Sequence, residues 1–345
     1  MIRRILAAAT ILVVAAAMLI AAWPQLFGLE RVIGIAQLVS MRGLAALLAG
    51  VGVVAFLLIA LMSRRLRRFA ATLALLLLVF TGVSGAVLAI RGTTPGGFQT
   101  KAPHDLTVLS WNTLGDAPGA TEIARVAIEQ KADIVSLPET STETAGAVRA
   151  LMGQAGIPMQ LLSLSFDKVA TSRTTSLLIS TKLGEYRRDG SHGSTASLPS
   201  VVAVPVNGNG PTIIAAHPIS PVPGEMTNWR SGLDWLAARC GVTASAGDGT
   251  ILAGDLNSTL DHWVGLRAPS AHGEGDLGAC HDGARAEKSA AVGTWPTSLP
   301  TSLGTPIDHV LASDGWSFVG FRVIGTEDGA GSDHRPVVAQ LRPGS

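Results

Sequence analysis

Three long stretches near the start of the chain, residues 5–22, 43–62 and 69–90, contain no charged side chain over 18, 20 and 22 positions. At a helical rise of about 1.5 Å per residue they reach roughly 27, 30 and 33 Å, enough to cross a hydrocarbon layer of about 30 Å. Buried core helices seldom stay free of charge for so long, so the pattern predicts three transmembrane helices. Beyond residue 90 the pattern changes to short β-branched runs that alternate with amphipathic stretches and turn residues. Strands are expected at 106–111, 134–137, 176–180, 201–206, 212–216, 250–253, 307–312 and 337–341. Helices are expected at 121–130, with Ile123, Val126 and Ala127 on the apolar face, at 142–154 and at 226–239. Many strands with few helices between them predict an α/β fold of two packed sheets flanked by helices, rather than one doubly wound sheet.

Charge sharpens the division. Residues 1–90 hold one acid, Glu30, against eight arginines, whereas residues 91–345 hold 24 acids against 18 bases, a net charge of −6. A wholly soluble cytoplasmic protein is excluded, and so is a strongly basic nucleic-acid binder. Arg3 and Arg4 precede the first apolar run, and Arg64, Arg65, Arg67 and Arg68 fill the loop between the second and third. The positive-inside bias then puts the N-terminus in the cytoplasm and, after three crossings, the rest of the chain outside the cell membrane. Were the first run a cleaved signal peptide, the remaining hairpin would keep the same topology. The expected organisation is a membrane domain over 1–90, a Gly, Thr and Pro-rich linker over 91–103 and a catalytic domain over 104–345. The only cysteines, Cys240 and Cys280, lie in the exported part, where they read either as a bridge or as two buried thiols. A bridge would close a loop containing Asp255 and Asn257 and be worth at most about 4 kcal/mol.

Polar residues cluster where the predicted strands end. Asn112 follows the first strand, Glu139 the second, and His217-Pro218 the strand at 212–216. Asp255 and Asn257 follow the strand at 250–253, Asp308 and His309 enter the strand at 307–312, and Ser332-Asp333-His334-Arg335-Pro336 precedes the last. Each also has a plain structural reading. Asn112 suits a turn or cap, Glu139 a helix N-terminus, His217 the start of a loop, and Asp255 with Asn257 an Asx-turn. Asp308 suits a core acid bonded to backbone amides, and Asp333-His334 a surface pair. Taken together, they supply what metal-assisted phosphoester hydrolysis needs: oxygen ligands for a hard cation, amides to hold phosphate oxygens, and imidazoles for proton transfer. No zinc-type Cys/His spacing, Gly-x-Ser-x-Gly elbow or Walker loop competes with this reading.

The ordered set Trp111-Asn112, Pro138-Glu139, His217-Pro218, Gly254-Asp255-Leu256-Asn257, Ile307-Asp308-His309 and Ser332-Asp333-His334-Arg335-Pro336 resembles the endonuclease/exonuclease/phosphatase superfamily over about residues 106–341. The resemblance implies a four-layer α/β/β/α sandwich of two mixed sheets and a Mg²⁺ or Mn²⁺ cofactor. It implies that Glu139 binds the cation, helped by Asn112 and, at a second or alternate position, by Asp333. It further implies that His334 accepts a proton or contacts phosphate under the orientation of Asp308, that Asp255 and Asn257 align water or leaving group, and that His217 contacts the phosphate from the opposite side. Pro138 departs from the glutamine common before the metal-binding glutamate. His309 is expected on the opposite strand face as a structural residue, and Trp295 either at the cleft wall or in the core.

The expected function is a membrane-tethered, divalent-metal-dependent phosphoester hydrolase acting outside the cell membrane, with a phospholipid head group, a nucleic acid or a small phosphoester as substrate. The low aromatic content and net −6 weigh against nucleic acid. The alternative is a non-catalytic binding or scaffolding module on the same fold.

Overall fold

The computed structural model describes residues 1–94, 96–167, 169–241 and 247–344. It divides into two compact units, Met1–Arg91 and Gly92–Ser345. The first is helical: α1 (Ile2–Ala22), a short α2 (Ile35–Ser40), α3 (Arg42–Met62) and α4 (Arg67–Arg91). Three of these are long and apolar enough to cross a membrane. Large apolar side chains such as Leu12, Val51, Leu58 and Leu78 point outward, as they do where lipid rather than protein is the neighbour. Small residues let these helices meet: a side chain at Gly52 would press on Leu77, and Ala21, Ala49 and Phe80 form a common contact. These features support membrane association.

The second unit contains two mixed, six-stranded sheets. Its strands are β1 (Leu106–Ser110), β2 (Ile134–Pro138), β3 (Met159–Ser165), β4 (Thr174–Ser180), β5 (Tyr186–Arg188), β6 (Val201–Pro205), β7 (Thr212–Ala216), β8 (Thr250–Asp255), β9 (Pro269–Ser270), β10 (Gly273–Glu274), β11 (His281–Asp282), β12 (Asp308–Ala312), β13 (Trp316–Val323) and β14 (Val337–Pro343). Its helices are α5 (Gly119–Glu129), α6 (Thr142–Gln154), α7 (Met226–Ala237) and α8 (Gly283–Ala286). One sheet runs β13-β14-β1-β2-β4-β3 and the other β11-β12-β8-β7-β6-β5, while β9 and β10 make a separate hairpin. The sheets pack face to face, and Ser136 of β2 donates a hydrogen bond across the interface to the Ala253 carbonyl at 2.8 Å.

Burial explains the near-continuous apolar runs. β1 and β2 are buried along their whole length, with the second sheet on one side and α5 and α6 on the other. Ile123, Val126 and Ala127 supply the buried face of α5, and Ser141 caps α6 by accepting the Thr144 N–H. Each sheet has one parallel pair, β1 with β2 and β7 with β8. Their C-terminal ends meet at one end of the sandwich, where open α/β sheets present ligand-binding loops.

The segment expected to be a linker lies along this unit. The Gly92 carbonyl accepts the Ala291 N–H at 3.0 Å, Phe98 bridges antiparallel to Gly320, and the Gln99 N–H bonds the Val319 carbonyl at 2.9 Å. Gly92 has φ +83° and a Cβ there would strike the Lys288 carbonyl, so the close approach requires glycine. Pro95, also in that segment, lies outside the described residues. Cys240 and Cys280 form a disulfide with Cα atoms 5.2 Å apart, joining the end of α7 to the approach to β11.

Candidate active site

The site is built from strand ends. After β1 the indole of Trp111 bonds the His334 carbonyl at 2.9 Å, and the Ser332 hydroxyl reaches the Asn112 carbonyl at 2.6 Å while accepting the His334 N–H at 3.0 Å. These contacts lock the end of β1 to the turn before β14. Asn112 then donates from Nδ2 to Glu139 Oε1 and Asp255 Oδ2, both at 3.0 Å, and its Oδ1 accepts the Leu114 N–H at 3.0 Å. The amide therefore clamps two carboxylates together. Glu139 follows β2 with φ +57°, a left-handed conformation costly for a residue with a side chain, and the Thr113 hydroxyl holds its carbonyl at 3.0 Å. Burial pushes the Glu139 carboxyl above its ordinary range, against the hydrogen bond from Asn112.

Asp255 ends β8 and stands directly across from Asp308 of β12. Two carboxylates side by side in a dry place resist joint ionisation. Burial and the Asp308 charge raise Asp255 to about 7, against the opposing pull of His334 and the hydrogen bonds from Asn257 and Asn112. Asn257 donates its N–H to Asp255 Oδ1 at 2.9 Å, so the Asx-turn is present and forms part of the site. Its side chain reaches the Pro218 carbonyl at 3.0 Å, and its own carbonyl, at φ +46°, accepts the Trp229 indole at 3.0 Å.

The two histidines differ. His334 Nδ1 meets Asp308 Oδ2 at 2.9 Å, while Nε2 faces Asp255 Oδ2 at 3.7 Å and Asp333 Oδ1 at 3.9 Å. Burial works against its charge, but the carboxylates of Asp308 and Asp255 prevail and raise its pKa to about 10, leaving an imidazolium at neutral pH. His217 lies against the other side, with Nε2 3.7 Å from Glu139 Oε1 and 4.0 Å from Asp255 Oδ2. Burial, aided by the His334 charge, lowers it to about 3, so it stays neutral, and its buried Nδ1 has no hydrogen-bond partner.

All eight residues expected from the sequence, Asn112, Glu139, His217, Asp255, Asn257, Asp308, Asp333 and His334, thus join one connected cluster. His309 faces the opposite side of β12, where it bonds Asp282 at 2.7 Å. Ligand atoms of Asp255, Asp308 and His334 lie within 4.8 Å of one another. Oδ1 atoms of Asp308 and Asp333 are buried without a hydrogen bond. Under-satisfied carboxylate oxygens of this kind fit a hard divalent cation.

Two residues acquire a specific role here: Trp295, expected either at the cleft wall or in the core, and Arg335, for which the sequence suggested none. Trp295 donates its indole N–H to Asp333 Oδ2 at 2.8 Å, fixing which oxygen of that carboxylate faces His334. Arg335 is fully buried, and its guanidinium donates to the carbonyls of Gly293, Pro296, Thr297 and Leu299 as well as to Asp328. It thereby holds the loop that presents Trp295. The available signal was an arginine directly before a buried strand, a place where it must find acceptors.

The sequence profile of the endonuclease/exonuclease/phosphatase family matches residues 109–334. No curated protein matches the chain. Among solved structures, a TDP2 of D. rerio humanized by 14 mutations superimposes with a TM-score of 0.51 at 16% identity, covering 69% of this chain and 99% of its own. The AP endonuclease LMAP from Leishmania major does so with a TM-score of 0.51 at 15% identity, covering 74% and 94%. At this identity the likeness speaks for the fold.

Proposed function

The chain belongs to the endonuclease/exonuclease/phosphatase family, and on that premise we propose that it is a membrane-tethered, divalent-metal-dependent phosphoester hydrolase whose active site lies outside the cytoplasmic membrane. The observation that carries this reading is the convergence of eight acid, amide and imidazole side chains into one cluster at the cleft end of the sandwich. The arginine placement and three apolar helices support the tether and its orientation.

Glu139 and Asp333, with Asp255, Asp308 and Asn112 beside them, would hold Mg²⁺ or Mn²⁺, which supplies Lewis-acid polarisation of a phosphoryl oxygen. The chain itself performs the rest. His334, held by Asp308 through Nδ1, presents Nε2–H to the negative charge that builds on phosphoryl oxygens. Asp255, near neutrality, exchanges a proton at its carboxylate with water or leaving group, while Asn112 and Asn257 fix its orientation. Neutral His217 supports the opposite side of the same phosphate.

Full-length protein should hydrolyse bis-p-nitrophenyl phosphate when Mg²⁺ or Mn²⁺ is added. EDTA and the Asp255→Ala and His334→Ala substitutions should abolish this while the fold persists. No turnover on that ester, nucleic acids or phospholipids, together with no cation-induced rise in melting temperature, would overturn the proposal in favour of a binding module.

A further inference from the structure

The segment that opens the second unit runs along β13 toward the cleft end. Phe98 sits opposite Gly320 in an antiparallel bridge, so residues 96–100 run counter to β13. β13 ends at Val323, paired with Val337, and Val337 pairs with Ser110, two residues before Asn112. Traced backward from Phe98, the chain therefore climbs toward the cleft end, not away from it. Gly92 completes that path by bonding Ala291, on the segment that leads to Trp295 and its contact with Asp333. Ala291 and Trp295 are four Cα steps apart, a reach of at most about 14 Å.

The cleft end also carries the exposed apolar surface. Seven large apolar side chains are exposed among the described residues of this unit. Five of them lie at that end, Leu114 (46%), Phe166 (42%), Val169 (91%) and Val222 (43%) on loops and Val264 (40%) on the 3-10 helix Leu260–Leu266. Leu114 bonds Asn112 through its N–H, and Gly115 abuts Thr171 so closely that a Cβ would lie 2.8 Å from its hydroxyl, which joins the loop of Leu114 to that of Phe166 and Val169. Val222 lies on the loop whose Pro218 carbonyl holds Asn257. A soluble substrate gives no reason for apolar side chains on separate loops around one mouth, whereas a lipid surface does.

Building on the hydrolase reading above, we propose that the substrate is a phosphoester borne by a membrane lipid, taken from a bilayer surface, with Leu114, Phe166, Val169 and Val222 resting among the headgroups. The three long apolar helices bring the chain to a bilayer, and the apolar rim supplies the contact.

Because the native cysteines are bridged, a cysteine introduced at position 169 is a unique labelling point, and one at position 206, on the exposed Val206 at the other end of the sandwich, is its control. Full-length Val169→Cys and Val206→Cys proteins carry an environment-sensitive NBD label in vesicles of phosphatidylethanolamine and phosphatidylglycerol. The label at 169 should brighten and be quenched by brominated acyl chains, and that at 206 should not. Equal responses overturn the proposal. In the same vesicles Val169→Asp and Phe166→Asp should lower hydrolysis of the bilayer lipids about ten-fold, the weight of an apolar side chain withdrawn from the interface, and leave bis-p-nitrophenyl phosphate turnover unchanged. Equal loss on both substrates, no loss on either, or faster cleavage of a DNA oligonucleotide than of lipid overturns it. So does wild-type protein that cleaves bis-p-nitrophenyl phosphate but neither lipid. Wild-type protein inert on bis-p-nitrophenyl phosphate, nucleic acids and both lipids, with no cation-induced rise in melting temperature, sinks the hydrolase reading instead, while the label still decides where the rim lies.

Discussion

Asp308 and His309 are neighbours on β12, face opposite sides of it, and each belongs to a histidine–aspartate pair. His309 bonds Asp282 through Nδ1 at 2.7 Å and meets the carbonyls of Ser258 and Pro306 through Nε2 at 3.0 and 3.1 Å. Every neighbour of that ring is an acceptor, so both nitrogens carry protons. Burial opposes the charge, but Asp282 and these bonds raise the pKa of His309. Trp263 closes the site edge-on at 4.7 Å. His334 is held by Asp308 in the same way, but its Nε2 makes no hydrogen bond and looks into the cleft. The comparison teaches that an imidazolium–carboxylate pair becomes scaffold when its second nitrogen is capped by the protein, and chemistry when that nitrogen is left for a ligand.

Substitution should separate the two pairs. Asp255→Ala, which leaves the Asp308–His334 pair in place, is expected to reduce turnover about 10³-fold, or about 4 kcal/mol in the barrier, with little change in melting temperature. Asp282→Ala should do the reverse. It strands a buried charge on His309 and is expected to cost about 3–5 kcal/mol of stability, read from the fluorescence melt, since six of the seven tryptophans lie in the catalytic unit. Turnover by the fraction still folded should be unchanged. Loss of turnover without loss of stability in Asp282→Ala would erase the distinction.

The distinction was half legible in the sequence. Strand alternation places Asp308 and His309 on opposite faces, and the polar residues of the site were visible because each interrupts or ends an apolar run. The partners were not visible, because Asp282, Trp295 and the carbonyls around Arg335 reach the site only through tertiary contact. The fold shows the same limit. β1, β2 and β8 are buried on both faces and read as apolar runs, whereas β3 is a half-buried edge strand whose serines and leucines give a weak signal. β13 was missed because Gly320, which reads as a breaker, is the place where the Phe98 ring needs room. Residues 92–100 have linker composition, and only their hydrogen bonds to distant segments reveal that they are held.

A free nitrogen facing carboxylates with unsatisfied oxygens should also make the His334 side of β12 responsive to cations and the His309 side indifferent. Mg²⁺ or Mn²⁺ at about 100 times its dissociation constant is expected to stabilise the wild-type unit by about 2.7 kcal/mol, an increment removed by EDTA. The increment should persist in His309→Gln and vanish in Glu139→Ala with Asp333→Ala. Smaller in effect is Trp295→Phe, which keeps the ring but loses the bond to Asp333. It is expected to weaken cation affinity about ten-fold, measured by calorimetry, and to leave turnover at saturating cation nearly intact. A fall in saturated turnover with unchanged affinity would place Trp295 on the substrate instead.

The mildest test reads the capped pair through pH. His309 has its pKa raised above the ordinary 6.5 in the folded chain, so between that value and the folded pKa the native state keeps a proton that the unfolded chain has lost. The pair's contribution is therefore complete below pH 6.5 and declines as pH rises through the folded pKa, with a limiting slope of about 1.4 kcal/mol per unit. Asp282→Asn cannot hold the imidazolium, and burial, the largest influence on His309, then lowers its pKa against the weaker pull of Ser258 and Asp308. Its contribution changes sign, and stability is lost as pH falls instead. His334, raised by Asp308 and Asp255 against its burial, slopes in the wild-type direction as well. The comparison is best made in the His334→Ala background, where the difference between melting curves with and without the Asp282→Asn substitution isolates His309. Parallel curves across neutral to alkaline pH would mean that His309 is neutral in its cage, and the two sides of β12 would then differ in charge as well as in exposure.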